Sequence, residues 1–248
     1  MVEIIRKIRD VCESSSLPTY VFFSGGKDSL ASLLLTWLAD VNFKVVFAVM
    51  PDNTHPLCIE YIEKICEEHG VDLILLERLK YGNFWKCMEK WGLPHPHNLW
   101  CWRTFKQEAF RVVEPCIKIV GVRKSETKAR LWRYESDVVN RGKEGICIYP
   151  ILNWSTEKTL SFIKKMKVPL NPCYEFARDA LSCVFCPKRT VDKIKAIMTA
   201  PQCKYFQERI IETLQKIKAT SDYAISTKRR WLKWRNQTRL NSDQTRLV

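Results

Sequence analysis

Six consecutive residues, Ser24-Gly25-Gly26-Lys27-Asp28-Ser29, carry the residue types and spacing that can hold a phosphate chain. Two adjacent glycines let the backbone turn sharply, so that successive N–H groups converge on an anion. Ser24 and Ser29 add hydroxyl donors, and Lys27 adds positive charge. Asp28 is the odd member, because a carboxylate beside phosphates repels them unless it orients the loop or meets a metal ion such as Mg²⁺. The spacing is not that of the G-x-x-x-x-G-K-[ST] phosphate loop.

Two further groups of residues could do chemistry. Arg123, Lys124, Lys128, Arg130 and Arg133 form a basic run with Glu126 as its nearby counter-charge. Guanidinium groups such as those of Arg123 and Arg130 grip phosphate or sulfate oxygens bidentately, whereas the plainer reading of such a run is a solvated face. Cys183-x-x-Cys186-Pro187 offers two thiolates at metal-ligand spacing. Cys12, Cys58, Cys66, Cys87, Cys116 and Cys147 instead fall inside apolar or amphipathic runs, where cysteine acts as a small hydrophobe.

The elements that must position these groups alternate along the chain. An amphipathic helix is expected over residues 2–13, a buried strand over 19–23, a helix over 29–39, a strand over 44–49, a helix over 56–68 and a strand over 71–76. Residues 83–116 read as two helices around a loop containing proline and histidine, followed by a strand at 117–121 and a fifth at 146–149. Parallel strands need crossovers of this length, so the fold class is α/β: a doubly wound, Rossmann-like parallel sheet of about five strands. Beyond Pro150 the pattern turns helical, with helices at 155–166, 191–199 and 204–218. The expected division is an α/β domain over 1–150, a small, mainly helical, cysteine-containing subdomain over 151–220 and a basic tail over 221–248. With strand order 3-2-1-4-5, the glycine loop and the segment around Gly121 and Arg123 become neighbours at the carboxyl edge, where open α/β sheets bind ligands.

The chain's 248 residues, 46% hydrophobic, suffice for a full core, and the net charge of +14 points to a polyanionic partner or phosphorylated substrate. From Lys228 onward seven basic residues face one acid, Asp243, and Trp231 and Trp234 alternate with the cations, as in a tRNA or DNA contact. The N-terminal segment is too charged for a secretory signal, and no window reaches the ~18 apolar residues of a membrane span. A cytoplasmic location is expected. The odd count of 11 cysteines then argues for thiols and metal ligands rather than disulfides.

The glycine loop resembles the SGGxDS PP-loop of the ATP pyrophosphatase superfamily, and further blocks resemble the phosphoadenosine phosphosulfate reductase family from about Thr19 to about Arg189. Pro51-Asp52-Asn53-Thr54 is similar to its D-T-G stretch, although Asn53 and a shorter spacing depart from it. Cys101-Trp102-Arg103-Thr104-Phe105-Lys106 resembles its cysteine-to-lysine segment, and Gly121 through Arg130 its G-x-R-x-x-E-S-x-x-R motif. Pro150 to Trp154, Asn171-Pro172 and Cys183 to Pro187 resemble its closing blocks.

The resemblance implies an adenine nucleotide, ATP or an adenylyl sulfate, held by Ser24, Gly25, Gly26, Lys27, Asp28, Ser29, Asp52, Gly121, Arg123 and Arg130. Asp28, Lys106 and Arg123 would serve catalysis, with Asp28 and Asp52 placing Mg²⁺. It also adds Cys101 and Cys173 to Cys183 and Cys186 as metal ligands, Cys203 being the rival fourth. A [4Fe–4S] cluster, a structural zinc and no metal all stay open. Cluster-bearing reductases have adjacent cysteines where this chain has Cys101-Trp102. Two reactions follow: ATP cleavage to AMP and pyrophosphate with adenylation of a substrate, for sulfur transfer to nucleic acid from a sulfur-donor protein, or sulfonucleotide reduction. The reductases carry their nucleophilic cysteine on a C-terminal tail, and this sequence has none beyond Cys203. A non-catalytic nucleotide-binding module is the alternative outside enzymology.

Overall fold

The computed structural model describes residues 1–177, 182–189, 204–217, 225–226 and 228–229. The helix expected at 191–199, Cys203 and the basic tail beyond Arg229 lie outside the described residues.

The chain opens with α1 (Val2–Glu13), β1 (Thr19–Phe22), α2 (Lys27–Leu38), β2 (Lys44–Val49), α3 (Pro56–Glu68) and β3 (Leu73–Glu77). Pro56 begins α3 where its missing N–H costs nothing, and the His55 ring accepts from the Leu57 N–H at 3.2 Å. α4 (Phe84–Trp91) starts at Asn83, whose side chain caps the Lys86 N–H. A π-helical turn over Trp102–Gln107 runs into α5 (Glu108–Phe110) and a 3₁₀ turn at Arg111–Val113. β4 (Cys116–Val120), α6 (Lys128–Arg133), β5 (Val138–Asn140) and β6 (Gly145–Ile148) complete the sheet half. α7 (Thr156–Lys165), α8 (Cys173–Ala177) and α9 (Lys204–Lys216) follow.

The sheet has six strands in the order β3-β2-β1-β4-β6-β5. All pair in parallel except β5, which runs antiparallel to β6 at the edge. The expected order holds, with the strand expected fifth appearing as β6. β5 is an addition: three residues are too few to leave a periodic signature. The sheet is first built outward from β1 through β2 to β3 and then resumes on β1's other side with β4. The switch point therefore lies between β1 and β4, and the pairing of Phe22 with Val120 puts the segments after both strands at one height.

α2 is buried along most of its length, from Ser29 to Thr36. The same core takes in Val21, Ile119 and Trp85 of the sheet half and continues through Trp154, Phe162, Val184, Phe185, Ile210 and Leu214. No helix among the described residues is long and apolar enough to cross a membrane.

Candidate functional site

Gly25, just after β1, has φ +74°, and a Cβ there would stand 2.9 Å from both Asn171 Nδ2 and Cys58 Sγ. Backbone conformation and space both demand glycine. α2 then starts at Lys27 with Gly26 as its N-cap and no side-chain cap, so the positive helix end is left open to an anion. The Lys27 N–H donates to the Tyr174 hydroxyl at 3.0 Å. Ser29 fixes the turn from within: its Oγ donates to the Gly26 carbonyl at 2.9 Å, accepts from the Ser24 N–H at 3.1 Å and lies 3.1 Å from Ser24 Oγ.

The structure explains the odd carboxylate. Arg123, at the end of β4 and 3% exposed, donates from Nε to Asp28 Oδ1 at 2.7 Å and from its second terminal nitrogen to Oδ2 at 3.3 Å. Its first terminal nitrogen donates to Ser125 Oγ and Thr156 Oγ1, each at 3.0 Å. Lys27 Nζ reaches Asp28 Oδ2 at 3.1 Å. Every nitrogen of this buried guanidinium is thus engaged, and the pair ties the first turn of α2 to the segment after β4 and to α7. Gly121 makes this approach feasible, since a Cβ on it would lie 2.5 Å from the backbone C and O of Asp28 and the N of Ser29.

Over the loop opens a cleft of about 690 Å³. Lys27, Arg130, Lys188 and Arg189 line it against Asp28 and Glu126. Arg130 pairs with Glu126, and Arg189 donates to the Cys183 carbonyl at 2.9 Å. Leu160, Leu170 and Tyr174 supply an apolar wall. A second, smaller cavity of about 170 Å³ adjoins it through Cys186, Lys188 and Arg189, and contains Lys106, whose Nζ donates to Ser182 Oγ at 2.9 Å.

The loop bearing Cys183 and Cys186 is clasped by the tip of β2. Buried Asn53 accepts the Phe185 N–H at 2.8 Å and donates to the Phe185 carbonyl at 2.9 Å, standing in for a neighbouring peptide unit. The Val184 N–H donates to the Asn53 carbonyl at 2.8 Å, the His55 N–H donates to the Ser182 carbonyl at 3.1 Å, and Thr54 bridges Cys183. Burial lowers the His55 pKa to about 4, which keeps the ring neutral and able to cap α3.

Burial pushes the Cys58 and Cys101 thiols up to about 12, and that of Cys186 upward. Cys101, Cys183 and Cys186 border the smaller cavity, whereas Cys173 lies toward Cys58 and Asn171. Among the described residues no three Cys, His, Asp or Glu side chains gather closely enough to hold a metal ion. Cys101 feels the charges of Cys183 and Cys186, and Cys58 those of Cys173 and Cys183, so the thiols are neighbours at the edge of the smaller cavity; no step below is routed through a metal.

The model of the phosphoadenosine phosphosulfate reductase domain matches residues 18–189. The chain belongs to that family. An uncharacterised protein of Methanocaldococcus jannaschii is 28% identical over 197 residues, covering 77% of this chain and 40% of the relative, so the chain spans less than half of that protein's length. Among solved structures, the U34-tRNA thiolase NcsA of Methanococcus maripaludis with its [4Fe-4S] cluster superposes with a TM-score of 0.55 at 15% identity, over 86% of this chain and 78% of that one. The phosphoadenylyl-sulfate reductase of Candida auris gives a TM-score of 0.51 at 15% identity, over 71% and 87%. These likenesses establish a shared fold.

Within this family member, Ser24, Gly26, Lys27, Asp28, Ser29, Gly121 and Arg130 line the main cleft as the sequence suggests, and Gly25 shapes the turn beneath it. Arg123 reaches the cleft only through Asp28. Lys106 is brought to the cysteine-lined cavity instead. Asp52 is not brought to the cleft: at φ +60° it is exposed and accepts from Asn83 Nδ2 at 2.5 Å. With Asp28 held by Arg123 and Lys27, the loop offers Mg²⁺ no unengaged carboxylate, and such an ion would have to arrive on the phosphates. Sequence reasoning missed Asn53 as the clasp, Cys58 under the loop, and Tyr174, Lys188 and Arg189 at the cleft. The departure of Asn53 from the family pattern was the one signal that pointed to any of them.

Proposed function

We propose that the cleft binds ATP and cleaves it between the α and β phosphates, giving pyrophosphate and an adenylated substrate. One observation carries the reading: an uncapped helix start and four cationic side chains, Lys27, Arg130, Lys188 and Arg189, border one cleft at the sheet's switch point. The amides around Gly25 and Gly26 and the Ser24 hydroxyl hold the pyrophosphate portion, with Ser29 bracing the turn from within. The cations offset charge that develops on the leaving group. Asp28 and Arg123 are positioning residues that keep the first turn of α2 in place. Lys106, in the cysteine-lined cavity that adjoins the cleft, supplies a point charge to steady a second reactant beside the nucleotide. Family membership and the printed functions of the structural relatives support adenine-nucleotide chemistry, and the thiolase makes sulfur transfer to RNA the finer form of the proposal.

Incubation of the protein with ATP, Mg²⁺ and RNA is expected to yield pyrophosphate and adenylated RNA, with AMP released once a sulfur nucleophile or water displaces it; without RNA, only water can take the adenylyl group and pyrophosphate should form more slowly. Binding of ATP without turnover under all conditions would favour the non-catalytic module. Thioredoxin-dependent release of sulfite from an adenylyl sulfate would instead favour the reductase.

A further inference from the structure

α6 is a helix that buries nothing. Trp132 is 82% exposed and Leu131 55%, although both are large apolar side chains of the kind a fold normally covers. Trp132 stacks on no other ring among the described residues. At helical spacing Lys128, Leu131 and Trp132 fall on one side of the helix, with exposed Arg133 beside them. Arg130, on the same helix, lines the cleft over the glycine loop. An exposed indole among cations, on the side of α6 away from Arg130 and the cleft, matches a chain of alternating bases and phosphates.

We propose that α6 docks an unpaired segment of RNA, with a base stacked on Trp132 and phosphates against Lys128 and Arg133, so that the acceptor is held on the helix whose other side borders the nucleotide cleft. Taking that RNA as the acceptor rests on the adenylating reading; the docking surface itself does not. Unpaired RNA is the favoured occupant because its loops and ends present splayed bases to aromatic side chains, which a duplex hides.

Fluorescence anisotropy with a labelled single-stranded oligoribonucleotide tests this on the full chain. Trp132→Ala is expected to weaken binding roughly 5- to 150-fold, while Trp132→Phe retains most of it. Lys128→Ala should reduce the slope of log affinity against log salt by about 0.7. An unchanged melting temperature in Trp132→Ala excludes misfolding as the cause. The surface is overturned if Trp132→Ala binds like the parent, if an RNA duplex of the same sequence binds as tightly, or if the matching oligodeoxynucleotide binds more tightly. Titration of the parent with ATP separates the two proposals: RNA binding without ATP binding would sink the adenylating reading and leave the surface standing.

Discussion

Gly121→Ala adds one methyl group to the junction on which the proposed nucleotide site depends. The new Cβ would lie 2.5 Å from the Asp28 and Ser29 backbone, where ordinary contact begins at 3.4 Å, and no flexible side-chain end is available to yield. One backbone must therefore move by about 0.9 Å, an overpacking that costs roughly 1–3 kcal/mol. That is within the ~5–15 kcal/mol that keeps a domain folded, so the variant should remain native with a lowered Tm. Displacement of the helix start by such a distance misaligns its amides with bound phosphates, and a 1 Å misplacement can cost ~100-fold in rate. Turnover is expected to fall by about two orders of magnitude, and calorimetric titration to report a measurably weaker ATP affinity. Gly70→Ala is the control: Gly70 has φ +62° but open space around it, so alanine there pays ~1–2 kcal/mol of backbone strain without touching the loop. Parental ATP affinity in Gly121→Ala would refute the claim that the first turn of α2 seats the phosphates.

Three other perturbations probe the supports of the site. Arg123→Met leaves the half-buried Asp28 carboxylate to Lys27 alone and should cost about 1.5–3 kcal/mol in urea unfolding, part of which Asp28→Asn restores in the double variant; additive losses would mean the two groups do not act as a pair. Asn53→Ala removes the two hydrogen bonds to the N–H and carbonyl of Phe185, at about 0.5–1.5 kcal/mol for each, and hydrogen exchange should rise at 183–186 before it rises in β1. His55, with a pKa lowered from 6.5 to about 4, takes up a proton on unfolding between those values. Stability should therefore fall as pH drops through that window, by up to about 1.4 kcal/mol per pH unit, and His55→Gln should flatten the slope; an unchanged slope would exonerate the imidazole.

Local signals were legible where they were long or strong. The β-branched and aromatic run of β1, the two glycines after it and the apolar stripe of α2 can each be read within a window of a dozen residues, and they gave the sheet, its switch point and the loop. What escaped depends on contacts between remote segments. Asp28 and Arg123 are both visible as charges, yet their pairing across 95 positions depends on β4 lying beside β1. Asn53 serves a partner 132 residues away, so its amide reads locally as a loop residue. Cys58 sits inside an amphipathic helix pattern and looks like filler until α3 is packed beneath Gly25. Asp52 enters as a candidate for Mg²⁺ only through the resemblance of Pro51 to Thr54 to the family's D-T-G stretch, and at a positive φ that no pattern announces it lies against Asn83.

The main apolar mass, which runs from Ile8 to Ile217, bears on how this molecule is made. Ribosomal synthesis delivers β1 through β6 first, while Trp154, Phe162, Phe185 and Ile210 are still untranslated or inside the exit tunnel. Until they emerge, the surfaces they cover stay wet and sticky, and the nascent sheet has every reason to recruit a chaperone. A chain stopped near residue 150 would thus be an interrupted fold, prone to clump, and not a small working enzyme.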